Sequence, residues 1–263
     1  MTLRLTVLGG GAAWPNPGQG CSSYLVTSES TRLLLDCGPD TLHELRRQVD
    51  FRTIDAVVIS HCHADHMLDL VAYRYGLKYG YARPERRIPL WLPPGGIERL
   101  AMLGSALAFG SEGSDGGEAF WSGVFDLHEY DPSTVLDIDD IQVAFVSTQH
   151  FVPCYAMRVS GPDGRSLAYT ADTGAIADLI APFTGVSTVL AEGTERDHAD
   201  RPLEHRGHLT PFDAGELARE TSASRLIITH LWSERDDGEV IGDAARAYRG
   251  EIIVAKPGMS LDV

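Results

Sequence analysis

Hydrophobic positions along this chain recur in short blocks, and block after block stops at a histidine or a carboxylate. Leu3, Leu5 and Val7 alternate before Gly9-Gly10-Gly11, which predicts an opening β-strand. Residues 23–27 and 32–35 predict two further strands, and the second runs through Leu33, Leu34 and Leu35 into the turn-forming Asp36-Cys37-Gly38-Pro39-Asp40. A helix to about Val49 follows. Ala56, Val57, Val58 and Ile59 form an unbroken apolar run, the mark of a fully buried strand, and helical spacing takes over from Met67 to Leu77. Ile88 to Leu92 reads as a strand that Pro89 places at a sheet edge. Pro93-Pro94-Gly95-Gly96 then breaks the chain before a helix from Ile97 to about Leu107.

The second half repeats this logic. Ile141, Val143 and Phe145 alternate up to Thr148-Gln149-His150. Tyr155 to Val159 and Ser166 to Thr170 predict a hairpin around Gly161-Pro162-Asp163-Gly164 that delivers Asp172 at its end. Val189 to Glu192 and Leu226 to Thr229 are two more apolar blocks, the last with His230 immediately beyond. Ligands remote in sequence would thereby converge on one edge of a layered α/β fold. The Gly9 to Gly20 stretch reads as a loop, and its glycines match no nucleotide-binding fingerprint because no helix follows. Residues 110–126, glycine-rich and then Phe120-Trp121, suit either a lid over a ring or a tip followed by a core or dimer anchor.

The densest chemistry lies at His61-Cys62-His63-Ala64-Asp65-His66, straight after the buried strand. In a strand-like turn His61 and His63 point to the same side, while Asp65 and His66, at the helix start, can face a second centre. Imidazole nitrogen with carboxylate oxygen makes a site for a borderline divalent metal, zinc by default, with manganese or iron accepted by the same donors. Cys62 reads as a small buried hydrophobe between ligands. Asp36, at a strand tip, would either orient a metal-binding histidine or cap its own turn. His43, His128, His198 and His205 fit no ligand pattern and read as surface or structural.

Composition narrows the picture. The chain has 263 residues, enough for one large domain, residues 1–263, with a substantial core. Its 22 basic and 37 acidic residues give a net charge of −15, which disfavours a polynucleotide-wrapping protein. Lys78, Arg83, Arg86 and Arg87 are the only candidate basic patch, and they read as a solvated loop rim. No apolar run reaches membrane-spanning length, and the 4 cysteines show no paired spacing. The opening residues go straight into a strand with no leader pattern, so the expected setting is the reducing cytoplasm.

His61 to His66 resembles the His-x-His-x-Asp-His signature of the metallo-β-lactamase superfamily. The resemblance implies an αββα sandwich and two divalent metal ions holding a hydroxide nucleophile between them. It assigns His61, His63 and His150 to one metal, Asp65, His66 and His230 to the other, and Asp172 as their bridge, with Asp65 also orienting or deprotonating the water. Ala191-Glu192-Gly193-Thr194 and His208-Leu209-Thr210 are similar to the His-Glu-Ala-Thr and His-x-Thr elements of ribonuclease Z and related phosphodiesterases. Here Ala191 and Gly193 replace histidine and alanine, while Glu192 and Thr194 are kept. A cationic His208, oriented by Glu192, would hold a phosphoryl oxygen or protonate the leaving alkoxide; as a plain alternative it is a loop histidine with a capping role. Thr210 would cap the helix begun by Pro211, with Ala214, Leu217 and Ala218 inward.

Bacterial ribonuclease Z carries a long transfer-RNA-gripping arm between the positions matched by His150 and Asp172. In this chain only residues 151–171, the hairpin, lie between them. The resemblance is therefore to arm-less members, including bacterial cyclic-nucleotide phosphodiesterases, and it implies a homodimer. The expected activity is hydrolysis of a small phosphodiester such as a cyclic nucleotide. The alternatives are a ribonuclease Z-type endonuclease and a lactone, thioester or β-lactam hydrolase.

Overall fold

Two β-sheets stack face to face because their strands are apolar on both sides. The computed structural model describes residues 3–84, 86–108, 117–199 and 201–263. The first sheet comprises β1 (Arg4–Gly11), β2 (Gly20–Cys21), β3 (Ser23–Thr27), β4 (Arg32–Leu35), β5 (Ala56–Val58), β6 (Ile88–Leu92), β7 (Phe125–Glu129) and β15 (Ser260–Asp262). Its order is β15-β1-β3-β4-β5-β6-β7, with β2 beside β1. The second sheet comprises β8 (Leu136–Ile138), β9 (Ile141–Ser147), β10 (Tyr155–Ser160), β11 (Ser166–Tyr169), β12 (Thr188–Glu192), β13 (Arg225–Thr229) and β14 (Glu251–Val254), in the order β14-β13-β12-β11-β10-β9-β8. Each sheet begins as an antiparallel meander and ends as parallel strands. Parallel pairing needs crossovers, and helices supply them.

The period-two alternation of side chains sorts each strand into two cores. Leu5, Val7, Leu33, Leu35 and Val58 meet Val143, Val159, Leu190 and Ile227 between the sheets. Leu34, Val57 and Ile59 face outward and pack on α1 (Leu42–Gln48), α3 (Leu70–Tyr79), α4 (Gly96–Leu107) and α5 (Glu118–Ser122). On the other side Val189, Ala191, Leu226 and Ile228 pack on α6 (Ala177–Phe183), α7 (Pro211–Glu220) and α8 (Asp237–Ala244). The result is an αββα sandwich, and it explains why the strands read as apolar runs. Among the described residues no helix is long and apolar enough to cross a membrane. All four cysteines are free, with Cys21, Cys37 and Cys154 buried and Cys62 half-buried against the α3/α4 core.

Two expectations need correction, and a third is decided among its alternatives. Pro89 does not mark an edge: β6 lies between β5 and β7, and Pro89 precedes the residues paired with β5, so its missing N–H removes no rung there. The helix expected after the histidine cluster is two helices, α2 (Ala64–Met67) and α3. The break follows from Asp69, whose carboxylate accepts from Thr41 N and Leu42 N at the start of α1 while its own N–H donates to Cys37. Of the 110–126 segment, residues 110–116 lie outside the described residues. Phe120 and Trp121 are core residues, not a lid or an anchor between subunits: both are fully buried, and the Trp121 indole N–H donates to Leu100 O at 2.7 Å.

Replacing Trp121 with Ala should therefore cost about 3–5 kcal/mol of stability, measured as a lower urea midpoint, with no change in oligomeric state. A change in association at unchanged stability would contradict the core assignment.

Candidate metal centre

Each residue singled out as a ligand stands just past a strand end or on the first turn of a helix. β5 continues through Ile59 and Ser60 to His61, His63 is the N-cap of α2, and Asp65 and His66 lie within that one-turn helix. β9 leads to His150, β11 to Asp172 and β13 to His230. Three non-glycine residues here, Asp36, Ala171 and His230, have φ of 56°, 49° and 55°. That region is disfavoured for residues with a side chain, and its use at successive strand tips turns the chain abruptly toward one point.

The donor atoms gather into two main groups, His61/His63/His150/Asp172 and Asp65/His66/His230, and a third set, Asp172/His208/His230, overlaps both. In the first, His63 Nδ1 lies 3.1 Å from both His61 Nε2 and His150 Nε2, and Asp172 Oδ2 is 3.7 Å from each of those Nε2 atoms. In the second, His230 Nε2 is 3.1 Å from Asp65 Oδ2 and 3.4 Å from His66 Nε2, while Asp172 Oδ1 is 3.3 Å from His66 Nε2. Asp172 thus presents one oxygen to each group. Its Oδ1 is buried and accepts no hydrogen bond from the described residues. An orphaned carboxylate oxygen in an apolar interior is costly, and a cation removes the cost. Nitrogen and oxygen donors in this ratio suit a divalent metal of zinc type.

Electrostatics agree. Burial pushes the His61 imidazole well below its ordinary pKa, and lowers His63 and His150 as well, so these rings stand with a lone pair free for a metal. His66 goes the other way: burial opposes its charge, but Asp172 and Asp36 overcome it and hold a proton on the ring. Burial also works against the charged Asp172, yet His230, His66 and His61 draw it well below the carboxylate range.

A second layer fixes which nitrogen of each ring faces inward. Asp36 is fully buried and accepts from His66 Nδ1 at 2.8 Å, from Ser60 N at 2.7 Å, from Ser60 Oγ at 2.8 Å and from the Tyr169 hydroxyl at 2.6 Å. Ser60 Oγ in turn accepts from His61 Nδ1 at 3.0 Å. Asp36 therefore orients one histidine of each group, which decides between its two sequence readings. His150 Nδ1 donates to Gly207 O at 2.8 Å, and His230 Nδ1 donates to Thr194 Oγ1 at 2.7 Å. A hydroxyl has one proton, and Thr194 can give its own to Glu192 Oε2 or to the His230 carbonyl oxygen, each at 2.8 Å.

Glu192 also receives the N–H of Thr173 and Nδ1 of His208, the latter at 3.1 Å from both carboxylate oxygens. The His208 ring stacks on His230 at 5.6 Å between centroids and stands edge-on to His150 at 5.1 Å, so it roofs both groups. Its Nε2 is left to face a bound molecule. Burial works to discharge the ring, but the Glu192 carboxylate, with Asp172 and Glu195, raises its pKa to about 9. Thr210 caps α7 in a capping box with Asp213, which also binds His198, so His198 is structural. Gly193 lies where an added methyl would come within 2.8 Å of Ile228 Cγ2, and Ala191 faces the helix layer, away from the centre.

The structure brings together every residue singled out: His61, His63, Asp65, His66, His150, Asp172, His230, Glu192 and His208. Sequence reasoning missed Ser60, Tyr169 and the Ala13 N–H, which donates to Asp65 Oδ2 at 2.9 Å. Tyr169 and Ala13 act across long sequence separations, and Ser60, although beside His61, takes its role from Asp36 on another strand tip.

Residues 31–231 match the family described as the beta-lactamase superfamily domain. The probable metallo-hydrolase YhfI of Bacillus subtilis is 29% identical over 263 residues, covering 97% of this chain and 98% of the relative. Its crystal structure superposes with a TM-score of 0.86 at 25% identity, covering all of both chains. A ribonuclease Z from Myxococcus xanthus is 26% identical over 313 aligned positions, covering 99% of this chain and 98% of the relative. A diphosphatase from the PhnP family has a TM-score of 0.73 at 21% identity, covering 100% of this chain and 98% of that one. With the β10–β11 hairpin in place of a transfer-RNA arm, the chain belongs to the beta-lactamase superfamily and adopts the metallo-β-lactamase fold.

Proposed function

We propose that the protein is a dinuclear metal-dependent phosphodiesterase acting on a small phosphodiester such as a cyclic nucleotide. The observation that carries this reading is His208, held by Glu192 over two donor groups to each of which Asp172 presents one oxygen. Two divalent cations, one per group, would polarise a phosphoryl group and make water a nucleophile near neutral pH. Asp65, tied by the Ala13 N–H and His230, is placed to orient and deprotonate the attacking water. His208 holds a proton opposite, available to a non-bridging oxygen or to the departing alkoxide. Glu192 keeps the ring turned so that Nε2 carries that proton outward.

The size of the substrate follows from what surrounds the centre. Residues 151–171 are spent on a hairpin built into the second sheet, so they offer no reach along an RNA. A net charge of −15 likewise opposes a long polyanion. The names ribonuclease Z and diphosphatase, carried by two similar proteins, both denote cleavage at phosphorus and support the reading.

Two outcomes are expected. Purified protein should bind two zinc ions per chain, and Asp36→Asn, which keeps every ligand, should weaken chelator-measured affinity about 10–100-fold. A single ion per chain, or unchanged affinity, would contradict the dinuclear assignment or the role of Asp36. In turnover, His208→Ala should cost about 10²–10⁴-fold on a diester with an alkyl leaving group, and far less on p-nitrophenyl esters, whose leaving group needs no proton. Because the raised pKa keeps His208 protonated below about 9, activity on the alkyl diester should fall as pH rises through the limb that His208 sets. Cations on Asp172 place that limb at or below 9, and it should vanish in the variant. Equal losses on both substrates would remove the proton-donor role.

A further inference from the structure

Trp14 is half exposed, at 50%, and is nonetheless among the most firmly held aromatics at the rim of the centre. Its indole stacks on Trp232 with centroids 5.3 Å apart and planes 16° from parallel. The Trp232 indole N–H donates to Ala12 O at 2.9 Å. Asn16 Nδ2 donates to Leu231 O at 2.8 Å, Ser233 N to Asn16 Oδ1 at 2.9 Å, and Leu231 N to Gly10 O at 2.9 Å. These bonds lace the Trp14 loop to the segment just past His230. On its other flank the neighbouring residue, Ala13, at φ 58°, gives its N–H to Asp65. The Trp14 loop is thereby tied on one flank to Asp65 and on the other to the residues that follow His230. Across the centre a second exposed ring, Phe151 at 66%, lies beside His150 and 6.3 Å from His208. It fits there because Gly207 has no side chain: an added methyl would come within 2.2 Å of the ring.

A broad aromatic face held flat next to reacting atoms is the means by which proteins take a planar ring without reading its edge. Packing inside the fold gives no reason to leave an indole half in water while five polar groups lock its loop. The geometry points to Trp14, backed by Trp232, as a stacking subsite that selects phosphodiesters bearing a nucleobase over those without a ring. This rests on the phosphodiesterase reading above and assigns the substrate group that the rim receives. Trp14 is a specificity residue here: it meets the base, while Asp65 and His208 meet the phosphoryl group. Stacking tolerates any base, so purine and pyrimidine substrates are both accepted, with purines favoured by their larger face.

The test compares 2′,3′-cyclic AMP with ribose 2,3-cyclic phosphate, two five-membered cyclic diesters on the same sugar of which only the first carries a base, and with the sugar-free glycerol 1,2-cyclic phosphate, using the metal-loaded protein. In Trp14→Leu the ratio of kcat/KM for the nucleotide over either base-free diester should fall about tenfold, through KM, and Trp14→Phe should restore part of it. A ratio unchanged in Trp14→Leu overturns the inference. So does conversion of a dimer to a monomer by that substitution, which would place a second copy on the indole. If the native protein cleaves none of these diesters, the phosphodiesterase reading fails and stacking is judged separately, by titrating adenosine 5′-monophosphate against indole fluorescence. Quenching that is lost in Trp14→Phe supports the subsite; equal quenching in both proteins removes it.

Discussion

The constraint on which this molecule turns is a carboxylate, Asp172, buried at the joint of two apolar sheets. One of its oxygens accepts no hydrogen bond from the described residues, and four imidazoles lie within 3.7 Å of the pair. A charge in such a place is tolerable only against compensating charge. The fold supplies that compensation by aiming strand after strand at it. β5, β9, β11 and β13 all end at the same edge, and left-handed residues at Ala171 and His230 turn the chain inward at the last step. Each donor group draws on both halves of the sandwich: His61, His63, Asp65 and His66 follow β5 of the first sheet, and His150, Asp172 and His230 follow strands of the second. Prying the sheets apart would dismantle the centre.

Rigidity of that centre comes in part from protons with only one place to go. The Tyr169 hydroxyl is fully buried, and burial together with the charge of Asp36 pushes its pKa far above the ordinary value, so it remains a donor at any working pH. Asp36 can only accept, and it collects the protons of Tyr169, Ser60 and His66. On the opposite side His230 Nδ1 meets the Thr194 hydroxyl, which lies equally close to Glu192 Oε2 and to the His230 carbonyl oxygen. The second chain has a consequence that the first lacks. Glu192 holds both the ligand side, through Thr194, and the proton-bearing His208, so the proton donor and the donor group share a single anchor.

Much of this was legible because ligand chemistry here is local. Three histidines and an aspartate within residues 61–66, after an apolar strand, specify a site without knowledge of the fold, and His150, Asp172 and His230 each follow an apolar block in the same manner. The αββα architecture came with the resemblance. What escaped notice depends on partners far away in the chain. Pro89 reads as an edge residue unless the shortness of β5 is known. The break between α2 and α3 is set by Asp69 reaching to the start of α1. For Trp121 the sequence left a lid, a core anchor and a dimer anchor open, because its glycine-rich neighbours obscured the helix that buries it. β14 and β15 carry short, mixed patterns and take their place from pairings such as Arg4 with Asp262, which no local window contains.

Charge and shape together make sense of the rim. A protein at −15 repels an anionic substrate at long range, so attraction must arise within a few ångströms of the centre. On the reading proposed above, the groups that would provide it are cations at the donor groups and a protonated His208, and these would act on the phosphoryl group alone. They would bind inorganic phosphate, or the phosphate end of any ester, nearly as well as the intended molecule. Discrimination therefore has to come from contacts that carry no charge, and aromatic faces are suited to that task in an acidic surface because they gain from a flat partner without adding to the field. Trp14 on one side and Phe151 on the other are the exposed rings bound most directly to the centre, and their loops are tied to its ligands and not to the helices outside.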